Sequence, residues 1–408
     1  MTPGQSIEKI RGLLGARRYA DALAEAEAAA MRADSDPTLL TLQAFALLEL
    51  GRNDEAMETI DRAIAAGAPT AEQMYLRFRA LWQVDRTEPA IAALETATRL
   101  APRDAHLRVI LGRHRLALGD FARGWADYEQ RARPTIRRDV RPWSGESLAG
   151  KHLLVVAEQG LGDTVQFCRY LPILAAMAAK VTAMVQPPLA SLVASVDPSV
   201  AVTSDTKSPA PFDLRVDMLS VPFFLRTTAD TIPAKVPYIG PAADKVAHWR
   251  AVIGERGPKI GIAWQGSAGR SRDDERSLPL AALTALAYRP EIRLISLQGM
   301  TGLDELAGVS VERLGPRIES NPDGIAEIAA AMQSVDLVVC SDTMTAHLAG
   351  ALGVPVWVGL KADANWRWLR GQSDTPWYPT MRLFRQATAA DWPPVIAAML
   401  AALKERLA

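Results

Sequence analysis

A strict period of 34 residues runs through the first part of this chain. Small residues recur at Ala22, Ala56, Ala90 and Gly124, so that each step between neighbours is 34 residues. A repeat of this length holds two helices, and a small side chain at a fixed position lets the paired helices approach closely. We therefore predict four antiparallel helix pairs, stacked as a solenoid, over residues 1–133.

Turn residues follow the same period. Gly51 and Gly119 precede the second helix of their repeats, whereas Asp85 stands at the corresponding position of the third repeat. Thirty-four residues is the length of the tetratricopeptide repeat, and stacked repeats form extended binding surfaces. We predict that the solenoid docks a protein partner. Packing on a neighbouring domain or self-association is the alternative.

An arginine-rich segment at 133–150 ends the repeats and contains Pro134 and Pro142, which interrupt the helical pattern. It is typical of a linker or a docking strap. Arginines can contact nucleic-acid phosphates. The chain nevertheless has 46 basic and 46 acidic residues, so its net charge does not favour an anionic polymer. We expect no nucleic-acid partner.

Strand-like and helix-like segments alternate after the linker, which is typical of α/β domains with parallel sheets. One half opens with the apolar run at 152–157, and a second half opens at Lys259. Ligands of such folds bind beyond the carboxyl ends of the strands. We predict three domains, 1–133, 134–240 and 241–408, with the active-site cleft between the last two.

The segment 336–359 contains a strand, a polar loop, a short helix and a second strand. Asp342 and Thr343 fall in the loop, where free backbone N–H groups and the helix dipole favour an anion. His347 lies one helical turn after Thr343, on the same face. These residues indicate an anion site. Alternatively, Asp342 or Thr343 only caps the helix and His347 is an ordinary buried histidine.

A glycine-rich loop after the first strand contains Gly160, Gly162 and Asp163. It lacks the third glycine of a dinucleotide fingerprint and the lysine of a P-loop. Its glycines permit close backbone approach, and Asp163 at the end of the strand is placed to act as a general base in the cleft. A helix-capping role for Asp163 is equally consistent with the residues alone.

The GLGD loop and the string SDTMTAHLAGALGVPVWV together resemble bacterial heptosyltransferase-type glycosyltransferases of family 9. The strings IAWQGS, RSLPL and NWRWLRGQSDTPWYPTMRLFRQ resemble a subgroup that fuses this module to tetratricopeptide repeats and includes flagellin glycosyltransferases. The resemblance covers essentially the whole chain. It implies an α + α/β fold, with a helical solenoid followed by the two Rossmann-like domains of a GT-B fold.

The same resemblance implies an inverting glycosyltransferase that needs no metal. The enzyme would move a hexosyl, heptosyl or other glycosyl group from a nucleotide sugar to a hydroxyl of a protein acceptor docked by the repeats, such as a serine or threonine of flagellin. The alternatives are a non-catalytic repeat scaffold with a degenerate sugar-nucleotide cleft, and a transferase that acts on a saccharide or lipid-linked acceptor.

Roles for individual residues also follow from the resemblance. It implies that Asp163 is the catalytic base. Asp342, Thr343 and His347 would contact the sugar and diphosphate of the donor. The full set of implied donor-binding candidates is Gly160, Gly162, Gln265, Gly266, Ser267, Arg276, Gln298, Asp342, Thr343, Met344 and His347. Met344 departs from the family, which has glycine there, so a nucleoside monophosphate sugar is the alternative donor.

Arg276 and the helix N-terminal amides would stabilise negative charge on the leaving nucleotide, and Gln298 would approach the nucleoside. We expect no metal or other cofactor, because Asp273 and Asp274 lack further carboxylates and are typical of a solvated loop. Four tryptophans are expected in the core, with stacking on sugar or base as the alternative; they are Trp264, Trp366, Trp368 and Trp377.

The location of the protein is also predicted from the sequence. No run approaches the roughly 18 apolar residues of a membrane span. The first residues lack the apolar core of a signal peptide. Cys168 and Cys340 lie in apolar surroundings and are expected to be core thiols in a reducing compartment. We expect a cytoplasmic protein without a membrane span.

Overall fold

The computed structural model describes residues 2–30, 36–207, 211–266, 276–299, 301–321 and 324–408. The chain divides into two compact units. The first unit comprises Met1–Leu116 and Arg123–Arg131, and the second comprises Ala117–Ala122 and Ala132–Ala408. The finer division into three domains, with boundaries after residues 133 and 240, stays a prediction.

Paired helices form the repeat region. They are α1 Pro3–Gly15, α2 Tyr19–Ala30, α3 Pro37–Glu49, α4 Asn53–Ala65, α5 Ala71–Gln83, α6 Thr87–Leu100, α7 Ala105–Ala117 and α8 Phe121–Tyr128. Ala22, Ala56 and Ala90 are fully buried, as their spacing predicts. At the fourth position a Cβ on Gly124 would lie 2.8 Å from Leu116 Cγ, so only glycine fits there without a shift.

The N-terminal caps of α1, α3, α5 and α7 recur every 34 residues. The side chains of Thr2 and Thr70 accept hydrogen bonds from backbone N–H groups of the first helical turn at 3.4 and 3.2 Å. Asp36 and Asp104 accept equivalent bonds at 2.8 and 2.9 Å. Each cap of this kind stabilises its helix by about 1 kcal/mol. The sequence period therefore fixes where the first helix of each pair begins.

The turn inside each helix pair has the same period. Arg17, Gly51, Asp85 and Gly119 all have positive φ, at 57°, 76°, 60° and 81°. Glycine adopts this left-handed conformation freely, while another residue costs about 1–2 kcal/mol. The first and third repeats therefore keep the backbone of the turn although Arg17 and Asp85 stand where the other two repeats have glycine.

Two parallel sheets form the second unit, with strand orders β3-β2-β1-β4 and β6-β5-β7-β8-β9. The strands are β1 His152–Val156, β2 Lys180–Met184, β3 Val200–Thr203, β4 Leu214–Asp217, β5 Lys259–Ala263, β6 Arg293–Ser296, β7 Leu337–Ser341, β8 Val356–Leu360 and β9 Met381–Arg385. This arrangement confirms the predicted fold class, since two Rossmann-like sheets after a helical repeat region are the architecture of the GT-B fold.

Helices accompany the strands of both sheets. They are α9 Leu161–Phe167, α10 Leu171–Met177, α11 Ala190–Ala194, α12 Val221–Phe224, α13 Ala243–Ile253, α14 Leu280–Leu283, α15 Pro316–Glu319, α16 Gly324–Met332, α17 Met344–Ala351 and α18 Pro393–Arg406. Helix α17 is the short helix that the sequence predicts within 336–359. Strand β9 and helix α18 were not predicted.

The linker is joined to the first sheet. The Trp143 N–H donates to the carbonyl of Arg215 in β4 at 2.7 Å, and the Arg215 N–H donates to the carbonyl of Arg141 at 2.9 Å. Pro142 pairs with Arg215 as a parallel bridge. The segment predicted as a linker or strap therefore extends the sheet beside β4.

Candidate functional site

The loops after β1 and β7 bring the two sheets of the second unit into contact. A Cβ placed on Gly162 would lie 2.9 Å from His347 Cδ2 and 3.3 Å from the Met344 Cα. Gly162 belongs to α9, and the other two residues belong to α17. The glycine loop therefore permits the close backbone approach that its composition predicts, and α9 packs directly against α17.

Replacing Gly162 by alanine should disturb this contact. Alanine favours a helix over glycine by about 1 kcal/mol, but forcing a methyl group into a packed contact typically costs about 1–3 kcal/mol. We expect a net loss in the free energy of unfolding and a lower affinity for nucleotide. Gly240→Ala is the control, because a Cβ on Gly240 meets no described atom within 4 Å. Chemical denaturation measures both variants, and equal stabilities would contradict the contact.

Asp163 both caps its helix and reaches the second sheet. One carboxylate oxygen accepts the Gly160 N–H at 2.8 Å. The other oxygen forms an ion pair with the guanidinium of Arg367. The capping bond that the sequence left open is thus present in the structure, and the role of Asp163 as a general base stays a prediction.

Arg367 is a residue of the site that the sequence reasoning missed. It is 5% exposed and donates from Nε to Gln166 Oε1 at 2.7 Å and from Nη1 to Asn365 Oδ1 at 2.9 Å. Its guanidinium carbon lies 4.3 Å from the ring centroid of Trp366. The string NWRWL contains this arginine, but its partner Asp163 is 204 residues away and no local pattern relates the two.

A second carboxylate, Asp342, follows β7 at the same edge. Burial raises the pKa of the Asp342 carboxyl above its usual value, and the nearby charge of Asp163 adds to this rise. The Trp368 indole N–H and the charges of Arg276 and Arg367 act in the other direction and lower the pKa of Asp342. Two carboxylates and two guanidinium groups therefore interact at the place where the loops after β1 and β7 meet.

Gly266 lies beside Arg276, one of the two guanidinium groups of this cluster. Arg276 donates from Nη1 to the carbonyl oxygen of Asp342 at 3.2 Å. A Cβ on Gly266 would lie 3.0 Å from Arg276 Nη2 and 3.3 Å from Thr343 Cγ2. Because β5 and β7 are adjacent parallel strands, the loops that follow them meet at one edge. Ser267, Asp273 and Asp274 lie outside the described residues.

The side chains of two predicted donor-binding glutamines order the loop after β5. Gln298 Oε1 accepts the N–H groups of Trp264 and Gln265 at 3.0 and 3.3 Å, and Gln298 Nε2 donates to the Gln265 carbonyl at 3.0 Å. In the orientation that satisfies its hydrogen bonds, the Gln265 side-chain amide accepts a hydrogen bond from the Gly302 N–H and donates one to the Glu305 carboxylate. Contact of either side chain with a nucleoside stays a prediction.

His347 is buried between aromatic rings. Its Nδ1 and the Tyr378 hydroxyl are 2.9 Å apart, and its ring is stacked on Trp368 with centroids 5.0 Å apart. Burial lowers the pKa of His347 well below its usual value, and the charges of Arg367 and Arg169 lower it further. The imidazole is therefore neutral at pH 7. This environment is that of a satisfied buried histidine, and direct donor contact stays a prediction.

The four candidate tryptophans are buried, which favours their expected role in the core. Trp264, Trp368 and Trp377 are fully buried and Trp366 is 4% exposed. The cysteines are also buried as expected: Cys168 and Cys340 are free thiols.

Arg169 forms a second bridge between the two sheet regions. It is 3% exposed and donates from Nη1 to the Trp377 carbonyl at 2.6 Å, from Nη2 to the Tyr238 hydroxyl at 2.9 Å and from Nε to the Gln166 carbonyl at 2.7 Å. Its guanidinium carbon lies 4.6 Å from the ring centroid of Tyr378. The charge is thus held by oxygen acceptors and aromatic faces.

The described residues contain no group of three or more His, Cys, Asp or Glu side chains arranged to hold a metal ion. Within the same ranges, no helix combines the length and the apolar character needed to cross a bilayer.

No protein-family model matches the chain. Its sequence is similar to Protein FlbA of Caulobacter vibrioides, with 28% identity over 431 residues that cover 89% of this chain and 72% of FlbA.

Two solved structures show lower similarity. One is a family 9 glycosyl transferase from Veillonella parvula, at 13% identity and a TM-score of 0.48, covering 64% of this chain and 98% of that one. The other is YrrB, described as a tetratricopeptide-repeat protein with an unusual peptide-binding site, at 18% identity and a TM-score of 0.28. That match covers 31% of this chain and 64% of YrrB, which is less than two thirds of its length.

Proposed function

We propose that this protein transfers a sugar from a nucleotide-activated donor to a hydroxyl group of a protein acceptor. The observation that carries the proposal is the meeting of Asp163, Asp342, Arg276 and Arg367 at the carboxyl ends of the strands. The cluster offers carboxylates that can accept a proton and cations that can stabilise a leaving phosphate.

The donor phosphates would lie beside Arg276 and Gly266. A leaving nucleotide gains negative charge as its bond to the sugar breaks, and a guanidinium beside the developing charge lowers the barrier. The first N–H groups of α17, which begins at Met344, point toward the same edge and favour an anion there. A Cβ at position 266 would lie 3.0 Å from Arg276 Nη2, so a side chain there would crowd the guanidinium that is proposed to face the phosphates.

Asp163 would act as the general base in a single displacement. Its carboxylate takes the proton of the acceptor hydroxyl while the hydroxyl oxygen forms a bond to the anomeric carbon of the sugar. The bond from that carbon to the phosphate oxygen breaks, the electron pair leaves with the nucleotide, and the configuration inverts. In this reaction Arg367 holds one oxygen of Asp163 in place.

The repeats support a protein acceptor. Four helix pairs with regular caps and turns form a solenoid of the kind that presents an extended surface to other chains. We also propose that the reaction takes place in the cytoplasm, because both cysteines are free thiols and a nucleotide sugar is a soluble co-substrate.

A non-catalytic scaffold is the second candidate, and one observation favours it. Both carboxylate oxygens of Asp163 already have partners, Gly160 and Arg367. A scaffold of this kind would bind nucleotide without releasing it from a sugar. Measuring nucleotide binding and nucleotide release on the same sample therefore separates the two candidates.

Arg276→Ala should weaken nucleotide binding by about 10- to 150-fold, because a hydrogen bond to a charged group contributes about 1.5–3 kcal/mol. Isothermal titration with UDP, GDP, ADP and CMP identifies the nucleotide and measures the change. Arg313→Ala is the matched control, since Arg313 is 54% exposed and pairs with Glu319. If the Arg276 variant bound nucleotide as tightly as the control variant, the donor phosphates would not lie at this edge of the sheet.

A further inference from the structure

A tight turn at residues 365–369 lies between β8 and β9 and contains two of the buried tryptophans. The Trp368 N–H donates to the Asn365 carbonyl at 3.1 Å, and the Leu369 N–H donates to the Trp366 carbonyl at 3.2 Å. We call these residues the tryptophan turn. Both bonds lie within the turn, so its position relative to the rest of the unit depends on other contacts.

The tryptophan turn contacts both helices of the candidate site. The Arg367 guanidinium forms the ion pair with Asp163 in α9. The next side chain, Trp368, stacks on His347 in α17 with ring centroids 5.0 Å apart. A change in the conformation of this turn would therefore displace the partner of the candidate base and a ring packed on the helix that is proposed to face the phosphates.

Leu369 ends the turn in a strained conformation. Its φ is 45° and its ψ is 151°. Glycine adopts such angles readily, whereas a residue with a Cβ rarely does. A strained residue persists only where the surrounding structure holds it. The backbone at Leu369 therefore requires a contact that holds it in place.

Arg385, the last residue of β9, supplies such a contact. Its Nη2 donates to the Leu369 carbonyl at 2.7 Å and to the Trp368 carbonyl at 3.3 Å. These two carbonyls stand on either side of the Leu369 Cα, so their directions depend on its φ and ψ. A return of φ to the usual negative range would rotate one carbonyl relative to the other, and a single nitrogen would no longer bond to both.

The guanidinium of Arg385 is a partly buried charge. Burial lowers its pKa below the usual value, and the charge of Arg370 lowers it further, while the charges of Asp342 and Asp363 act in the opposite direction. Burying a charged group is unfavourable unless hydrogen bonds compensate for it. The two carbonyls of the turn provide such bonds, which favours a specific role for the arginine in holding the turn.

We propose that Arg385 is a positioning residue, which keeps the tryptophan turn in the strained conformation that brings Arg367 to Asp163 and Trp368 to His347. The inference rests on the proposed function, because it concerns the rate at which the nucleotide leaves its sugar. Arg385 acts through the turn and not on the reacting atoms.

Hydrogen–deuterium exchange of the full chain tests whether Arg385 holds the turn. Arg385→Met keeps an unbranched stem but removes the donors, so the N–H groups of Trp368 and Leu369 should exchange at least about tenfold faster as the turn opens more often. Mass spectrometry of the peptides measures the change. Arg382→Met is the matched control, since Arg382 is exposed on the same strand and its guanidinium lies over the Phe384 ring. Equal exchange in the two variants would contradict the proposal.

Release of nucleotide tests whether the turn positions the site. The probes are UDP-, GDP-, ADP- and CMP-sugars at saturating concentration. We expect Arg385→Met to release nucleotide about tenfold more slowly, because a small displacement of a positioned group has a large effect on rate. Its dissociation constant for the nucleotide should stay within about threefold, since the phosphates are proposed to bind Arg276. Arg385→Lys keeps a charged donor and should recover part of the lost rate.

A residue that only stabilises the fold would give a different result. Its loss would lower the free energy of unfolding but leave the rate of the folded chain as it was. An unchanged rate of release in Arg385→Met, at a temperature where the variant is folded, would therefore contradict the positioning role.

Leu369→Gly is a test specific to the strain. Glycine adopts the angles of residue 369 without a steric cost, so the turn should depend less on Arg385. In the Arg385→Met background, Leu369→Gly should raise the rate of release at least about threefold. A double variant that is no faster than Arg385→Met would contradict the claim that Arg385 holds Leu369 in a strained conformation.

The two measurements keep this inference separate from the proposed function. If the wild-type chain released nucleotide from none of the four classes of donor, the proposed function would fail, and exchange of the Trp368 N–H would still decide whether Arg385 holds the turn. If the wild-type chain released nucleotide but Arg385→Met changed neither exchange nor rate, only the positioning role would fail.

Discussion

Asp163→Asn is expected to lower the single-turnover rate of sugar transfer by about 10²- to 10⁴-fold, the usual contribution of a positioned general base. Asparagine has nearly the same shape but cannot take the proton of the acceptor hydroxyl. The measurement is made with saturating nucleotide sugar, so that any change in donor affinity does not enter the rate.

Asp163→Asn also breaks the ion pair between Asp163 and Arg367. Asparagine leaves the buried guanidinium of Arg367 without its carboxylate, so the free energy of unfolding should fall by about 1.5–3 kcal/mol. Arg367→Gln breaks the same pair and keeps the carboxylate of Asp163. We expect a similar loss of stability but only about a tenfold loss of transfer. Equal losses of transfer in the two variants would make Asp163 a structural residue.

Arg169→Ala is expected to lower the free energy of unfolding by at least about 3 kcal/mol. The variant removes hydrogen bonds to the Trp377 carbonyl, the Tyr238 hydroxyl and the Gln166 carbonyl, and it leaves buried acceptors without donors. It also leaves a cavity among the aromatic rings. Denaturation by guanidinium chloride, followed by tryptophan fluorescence, measures the change.

Arg250→Ala is the matched control for this variant. Arg250 is exposed near the end of α13, where such a substitution usually changes stability by no more than about 0.5 kcal/mol. If Arg169→Ala lost less than 1 kcal/mol, the bridge between the two sheet regions would not stabilise the second unit.

The repeat region could be predicted from the sequence in detail because its signals are local and periodic. The 34-residue step located the buried small residues, and the caps at Thr2, Asp36, Thr70 and Asp104 follow the same step in residue types that favour helix starts. The first strands of the two sheet regions, β1 and β5, also begin where the sequence predicts, at His152 and Lys259, because buried parallel strands are short apolar runs between turn signals. β9 was missed because Arg382 and Arg385 interrupt its apolar residues, so that it lacks a continuous apolar run.

The charged cluster could be predicted only in part. Asp163, Asp342 and Arg276 each stand at the end of a predicted strand or loop, and the expectation that strand ends meet in a cleft brought them together. Arg367 and Arg169 act across long sequence separations, Arg367 to Asp163 over 204 residues and Arg169 to Trp377 over 208. One sequence contains no local signal for such contacts, so these positions depend on tertiary packing.

The central claim is that the cluster of Asp163, Asp342, Arg276 and Arg367 activates a nucleotide sugar. The most direct test is the release of free nucleotide when the full chain is incubated separately with UDP-, GDP-, ADP- and CMP-sugars. We predict that one class of donor releases nucleotide, that Asp163→Asn slows the release at least about 100-fold, and that the variant still binds the nucleotide. Nucleotide that binds without being released from any sugar, or release that is equally fast in Asp163→Asn, would contradict the account.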